Sequence, residues 1–266
     1  MEAPSSAEQI RVVSADGTPI AAHRVGDGDP IVIVGGAFST AADAADLASA
    51  LAESGFAAWT YDRRARGGSG DTIPYAPERE AEDLLAVIAA TGRPSAVLGH
   101  SSGAVLALFA VGEGAPARHL FLSEPPFRFG HDEPASDLPA RLQAHVDAGE
   151  PDEAVTLFQL EAVGLPAPMV EQMRQSPMFE QLLPLAQSAV YDATLTAAVP
   201  SPSEAMVTVS SPITILLGDE TFPVLVRSCE LLASAIPAAE LVRVPESKHH
   251  GVDPAATARI VAARLT

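Results

Sequence analysis

Residues 95–103 read Ser-Ala-Val-Leu-Gly-His-Ser-Ser-Gly and run without a break into the apolar stretch Ala104 to Val111. A short apolar run that meets Gly-x-Ser-x-Gly and continues at once into a second apolar segment predicts a strand turning into a helix over Ser101. Gly99 and Gly103 leave room for that turn, and the strained backbone at its apex leaves the Ser101 hydroxyl exposed. A helix starting near Ser102 brings free backbone N–H groups and the positive end of its dipole beside that hydroxyl. This is how a nucleophile elbow reads. Without strand before and helix after, the pentapeptide would carry little weight.

Neighbouring segments supply that context. An Asp16-Gly17 turn between the alternating runs Gln9 to Val13 and Pro19 to Val25 predicts an antiparallel hairpin. Ile31-Val32-Ile33-Val34 is a continuous β-branched run, suited to a strand buried on both faces. It ends at Gly35-Gly36-Ala37-Phe38, and a helix over 41–53 follows, capped by Ser39 or Thr40 and closed by Gly55. Strand 57–61, a Gly- and Arg-rich loop over 62–71, and a helix over 77–90 with Pro77 in its first turn repeat the pattern. Strand 119–123 ends at Glu124-Pro125-Pro126. Strands alternating with helices through short connections predict an α/β architecture, a mostly parallel sheet covered on both faces, with ligands at the carboxyl ends of its strands.

Strand signals stop between Phe127 and about Val209. Helical text punctuated by Pro and Gly takes their place, over 135–148, 152–163, 168–174 and 179–196. The expected organisation is thus a core of 1–126 and 210–266 with a helical cap inserted over 127–209. Met169, Met173, Phe179 and Leu183 are apolar enough to roof a hydrophobic pocket together with Phe38 and His100. Stripes of this kind also serve simply to pack helices together. The sheet resumes at 213–217 and stops at Gly218-Asp219-Glu220-Thr221. After a helix over 223–235 and a last strand over 240–244 comes Pro245-Glu246-Ser247-Lys248-His249-His250-Gly251, and Asp253 and Pro254 then start a final helix.

Composition excludes several classes of function. The chain of 266 residues carries a formal charge of −18, which repels nucleic-acid phosphates and anionic membrane surfaces. No apolar run approaches the roughly 18 residues that cross a bilayer, and residues 1–6 show neither the basic start nor the apolar stretch of a secretory leader, so the cytoplasm is the expected location. Cys229 stands alone among Val226, Leu231 and Leu232, a setting for packing; neither a disulfide nor a Cys-based zinc site is expected.

Serine is a poor nucleophile unless a histidine takes its proton and an acceptor fixes that histidine's tautomer. Of the seven histidines, only His249 and His250 follow the last strand at its carboxyl end. The chain resembles the α/β-hydrolases over nearly its whole length. The resemblance is carried by Ile31 to Phe38, Tyr61-Asp62-Arg63-Arg64 with Gly67-Gly68-Ser69, the elbow and the C-terminal His loop. Gly99-His100-Ser101-Ser102-Gly103-Ala104 and Glu124-Pro125-Pro126-Phe127 are similar, more narrowly, to a group of bacterial serine hydrolases of largely unassigned substrate.

The resemblance implies Ser101 as nucleophile, oxyanion donors on the amides of Ser102 and Ala37, and a base at His249, four positions after Pro245, with His250 as the alternative. Relatives usually place the acid in Gly-x-x-Asp after the penultimate strand, and here that spacing falls on Thr221, which cannot ionise. Asp219, from a shortened loop, and Glu124, at the end of the preceding strand, remain the two candidates. Gly35 stands where many relatives have His, and Asp62, Arg63 and Arg64 are read as bracing their loop. The implied activity is a hydrolase needing no cofactor or metal, acting on an ester, thioester or lactone of a small to medium hydrophobic substrate. The displaced acid motivates an alternative: a cyclase, isomerase or ligand-binding protein on the same scaffold.

Overall fold

The computed structural model describes residues 7–266; the leader reading of residues 1–6 lies outside them. The Asp16-Gly17 turn joins β1 (Glu8–Val13) to β2 (Pro19–Val25) as an antiparallel pair, and the Asp16 carboxylate accepts from the Thr18 amide at 2.9 Å. Then come β3 (Asp29–Val34), a 3₁₀ turn at Ala41–Ala44, α1 (Ala45–Glu53), β4 (Phe56–Tyr61), α2 (Pro77–Ala90), β5 (Ala96–His100), α3 (Ser102–Gly112) and β6 (Leu120–Ser123). After an inserted series of helices the sheet continues with β7 (Ile213–Asp219), α10 (Pro223–Ala235), β8 (Glu240–Lys248) and α11 (Pro254–Leu265).

The eight strands lie in the order β1-β2-β4-β3-β5-β6-β7-β8. Only the pairings made by β2 are antiparallel; every pair from β4 to β8 is parallel. Successive side chains of a strand go to opposite faces, and β3 shows the consequence: Val32 and Val34 join the core under α2, α3 and α10, while Ile31 and Ile33 join the one under α1 and α11. A strand with two buried faces needs apolar residues at every position, which accounts for the unbroken Ile-Val-Ile-Val run. Almost every residue of α3 is buried, so it too is apolar all round.

The insertion comprises α4 (Leu138–Asp147), α5 (Pro151–Leu157), a π-helical turn at Phe158–Val163, α6 (Ala167–Arg174), α7 (Pro177–Leu182), a 3₁₀ turn at Leu183–Leu185, α8 (Ala186–Ala198) and α9 (Glu204–Val207). Two expected helices are therefore broken. Pro184 lacks the N–H that a helix over 179–196 would need there, so the chain tightens before α8. The expected helix over 152–163 changes to π geometry at Phe158 and stops at Gly164, φ +83°. Among the described residues no helix is long and apolar enough to cross a membrane.

Candidate active site

Seven non-glycine residues with positive φ stand where the chain leaves a strand of the parallel sheet: Phe38 after β3, Ala65 after β4, Ser101 after β5, Glu124 after β6, Glu220 after β7, and His249 and His250 after β8. Left-handed backbone costs a side-chain-bearing residue roughly 1–3 kcal/mol and concentrates where function demands it. Its clustering on one rim marks the carboxyl edge as the working edge of the molecule.

Ser101 has φ 53° and ψ −126°, and its amide donates to Ser123 O at 2.9 Å, which ties the elbow to β6. A Cβ on Gly99 would collide with the backbone of Gly103 and Ala104, and one on Gly103 with the carbonyls of Val34 and Gly35. Helix and strands can approach this closely only through glycine. Ser102 opens α3, so its N–H has no acceptor within the helix, and the Ala37 N–H makes no backbone hydrogen bond among the described residues. Both residues line a cavity of about 380 Å³ together with Ser101.

The loop bearing Ala37 is held from below. Arg66 Nη1 donates to Gly36 O at 2.5 Å and Arg63 Nη1 to Gly35 O at 3.3 Å. Both guanidinium groups are buried and are neutralised from two elements: Arg63 by Glu80 of α2 and Asp192 of α8, at 2.6 and 2.8 Å, and Arg66 by Asp192 at 2.6 Å. Asp192 also accepts from Ser102 Oγ at 2.7 Å. Burial alone would raise the Asp192 carboxyl, but Arg63, Arg66 and Ser102 outweigh it and hold the group below its ordinary value. The arginines expected to brace their own loop thus also hold the loop that bears Ala37. Asp192, which carried no signal in the sequence, joins the insertion to the elbow helix.

Glu124 is buried, and its carboxylate accepts from His250 Nδ1 at 2.5 Å, Thr221 Oγ1 at 3.0 Å and the Gly218 amide at 3.0 Å. Burial pushes this carboxyl up; the His250, Thr221 and Gly218 donors pull it further down, so it sits below the usual carboxylate range. Thr221, at the spacing where relatives carry the acid, is instead a donor to the carboxylate reached from β6. Asp219 contacts neither histidine: it ends β7, and its side chain makes no hydrogen bond among the described residues.

Where the sequence places the base at His249, the structure instead brings His250 to Glu124. The β7–β8 register runs Gly218 to Val244 and then jumps to Asp219 opposite Lys248, so residues 245–247 bulge out of the ladder. After this bulge His249 and His250, at φ 52° and 64°, project in different directions. The His249 side chain is 75% exposed, 3.6 Å from Glu220, whereas His250 lines the cavity and meets Glu124. With Nδ1 facing a carboxylate, the His250 tautomer leaves Nε2 as the acceptor. Ser101 and His250 face the same cavity, with no hydrogen bond between them in this conformation.

His100 packs beside His250, ring centroids 4.6 Å apart, with Nδ1 3.2 Å from Ser123 Oγ. Burial, with the His250 ring beside it, lowers its pKa to about 3, so it stays neutral. Phe38 and His100 line the cavity as expected. Met169, Met173, Phe179 and Leu183 do not, and this is a second correction. Phe179 and Leu183 pack with Ala154, Val155 and Ala186 in a small core of the insertion, and Met169 is exposed. The apolar face of α6 and α7 is spent on neighbouring helices. Phe158, Gln159 and Ala162 of the π turn, Thr196 of α8, and Phe222 and Leu225 at the start of α10 line the cavity instead. The Phe38 and Phe158 rings meet edge-on at 5.1 Å. Only Phe222 had an available signal, its place just beyond β7.

The model of the alpha/beta hydrolase family matches residues 31–263. A solved alpha/beta hydrolase from Sphaerobacter thermophilus is 39% identical, with 97% of this chain and 100% of that one covered and a TM-score of 0.89. The chain belongs to the alpha/beta hydrolase family. At 20% identity this alpha/beta hydrolase shares its fold with a hydrolase from Pseudomonas aeruginosa, TM-score 0.72, covering 96% of this chain and 97% of that one. It shares it equally with the bottromycin epimerase BotH solved in complex with bottromycin A2, at 20% identity and TM-score 0.67, covering 97% and 100%. No curated protein matches the sequence.

Proposed function

We propose that the protein is a serine hydrolase that cleaves an ester, thioester or lactone through an acyl-enzyme, with Ser101 as nucleophile, His250 as base and Glu124 as acid. Ser101 Oγ attacks the carbonyl carbon while His250 Nε2 takes its proton. The amides of Ser102 and Ala37 stabilise the oxyanion. His250 then gives the proton to the leaving oxygen or sulfur, and water enters by the same route in reverse to release the acid. Glu124 keeps His250 in the useful tautomer and stabilises the imidazolium.

The observation that carries this reading is the 2.5 Å contact of Glu124 with His250 Nδ1 on the rim that also holds the strained Ser101. It also speaks against a cyclase, isomerase or binding protein, a reading that rested on the missing acid at position 221. A mostly apolar cavity of about 380 Å³ suits a small to medium hydrophobic group. A fluorophosphonate probe should label the wild type once, at Ser101, and leave Ser101→Ala unlabelled. Folded wild type that stays unlabelled would return the cyclase, isomerase or ligand-binding reading to the front.

A further inference from the structure

Arg128 lies four residues beyond Glu124 and lines the cavity that holds Ser101 and His250. It also borders a side cavity of about 170 Å³, with Pro134, Ala162 and Thr196 common to both, so it stands where the two meet. Its side chain makes one hydrogen bond among the described residues, from Nη2 to Ala162 O at 2.5 Å, and no carboxylate oxygen lies within 4.0 Å. Of the acidic residues nearest in sequence, Asp132 pairs with Arg227 at 3.3 Å, and Glu133, on the rim of the same side cavity, accepts from the Gly130 amide at 3.2 Å; both are exposed.

The other charges by the cavity balance. Arg63 and Arg66 are matched by Glu80 and Asp192, and Glu124 is matched to His250. Arg128 is therefore a half-buried cation that makes no salt bridge among the described residues, the Asp132 and Glu133 carboxylates acting on it only from beyond 4.0 Å, in a protein of formal charge −18. Such a charge ordinarily finds a partner. A second unpartnered group lines the same cavity. Gln159 belongs to the π turn whose Ala162 carbonyl Arg128 holds; it is buried, lines the cavity, and its carboxamide makes no hydrogen bond among the described residues, Oε1 being fully enclosed. A π turn re-aims side chains at functional sites, and here it presents an amide to the cavity.

We propose that Arg128 and Gln159 form a carboxylate-binding subsite, so that the preferred substrate is an ester or thioester whose non-reacting end carries a carboxylate. The guanidinium supplies charge-assisted N–H donors and Gln159 Nε2 a neutral one, whereas the enclosed Oε1 is an acceptor and takes no part in holding the anion. The lone cation also offsets, locally, the repulsion that the acidic surface exerts on an anion. This narrows the hydrophobic substrate class stated above, and it rests on the serine-hydrolase reading of the same cavity.

Two pairs of shape-matched esters test it: 4-nitrophenyl hydrogen glutarate against 4-nitrophenyl valerate, with the charge on the acyl side, and 4-acetoxybenzoate against 4-acetoxytoluene, with it on the alcohol side. Rates are normalised to spontaneous hydrolysis. The wild type should favour the anionic member of at least one pair by about tenfold or more in kcat/KM. That ratio should fall to about one in Arg128→Met, survive in part in Arg128→Lys, and shrink in Gln159→Leu. If Arg128 only holds the Ala162 carbonyl, both members fall together and the ratio stays, which overturns the proposal. So does a wild type indifferent to charge in both pairs, whatever becomes of the variants. If no ester is turned over, the hydrolase reading fails, and calorimetry of wild type with monomethyl glutarate decides the subsite. Arg128-dependent binding tighter than that of dimethyl glutarate sustains it; equal binding overturns it.

Discussion

At the scale of single residues, the site turns on a carboxylate moved by one strand. Glu124 leaves β6 and is gripped by three donors, one of them Thr221, which stands where the spacing of Gly218-Asp219-Glu220-Thr221 calls for an acid. Glu124→Gln should lower kcat/KM by about a hundredfold or more, because the amide stabilises neither the tautomer nor the imidazolium. Asp219→Asn should stay within about threefold of wild type, well inside the loss that marks a group acting in the transition state. Steady-state kinetics on 4-nitrophenyl valerate checks both, and the reverse order would put the acid back after β7. The sequence narrowed the acid to these two residues and the base to two neighbouring histidines. It favoured His249 over His250 and so missed the histidine that meets Glu124, because that contact depends on the bulge at 245–247, a property of how β8 pairs with β7.

Among the elements, α3 and α8 matter most, and they differ in how far the sequence disclosed them. The strand–turn–helix at Ser101 was legible because its demands are local: small residues on either side of the nucleophile and apolar runs flanking them. Gly103→Ala tests that reading. A methyl there meets the carbonyls of Val34 and Gly35, neither of which can yield without shifting β3. A loss of about 1–3 kcal/mol in urea unfolding, together with impaired turnover, is expected. The role of α8 was not legible, since Asp192 acquires it only from Arg63, Arg66 and Ser102, distant in sequence. The cavity lining of the insertion escaped for a related reason: one turn of π geometry at 158–163 rotates which residues face inward, and Pro184 uncouples α7 from α8.

For the whole molecule, the alternation of strands and helices was enough to read the layered sheet, because each β-branched run must be buried on two faces. The polar connection between the sheet and the insertion was not written in any periodicity. Asp192→Asn should cost about 3–5 kcal/mol at about pH 7, since it leaves two buried guanidinium groups undercompensated. The carboxyl is held below its unfolded value of 3.8, so its contribution is complete above that value and is lost as pH falls through the lower, folded one. The stability gap between wild type and variant in urea titrations should therefore narrow at about pH 3; a gap that stays constant would remove the ionised Asp192 from the account. The central claim, that His250 and not His249 stands between Glu124 and Ser101, is tested most directly by the turnover of 4-nitrophenyl valerate by the two single alanine variants. His250→Ala should lose about a thousandfold or more in kcat/KM while His249→Ala keeps nearly the wild-type value. A loss of that size in His249→Ala with His250→Ala still active would contradict it.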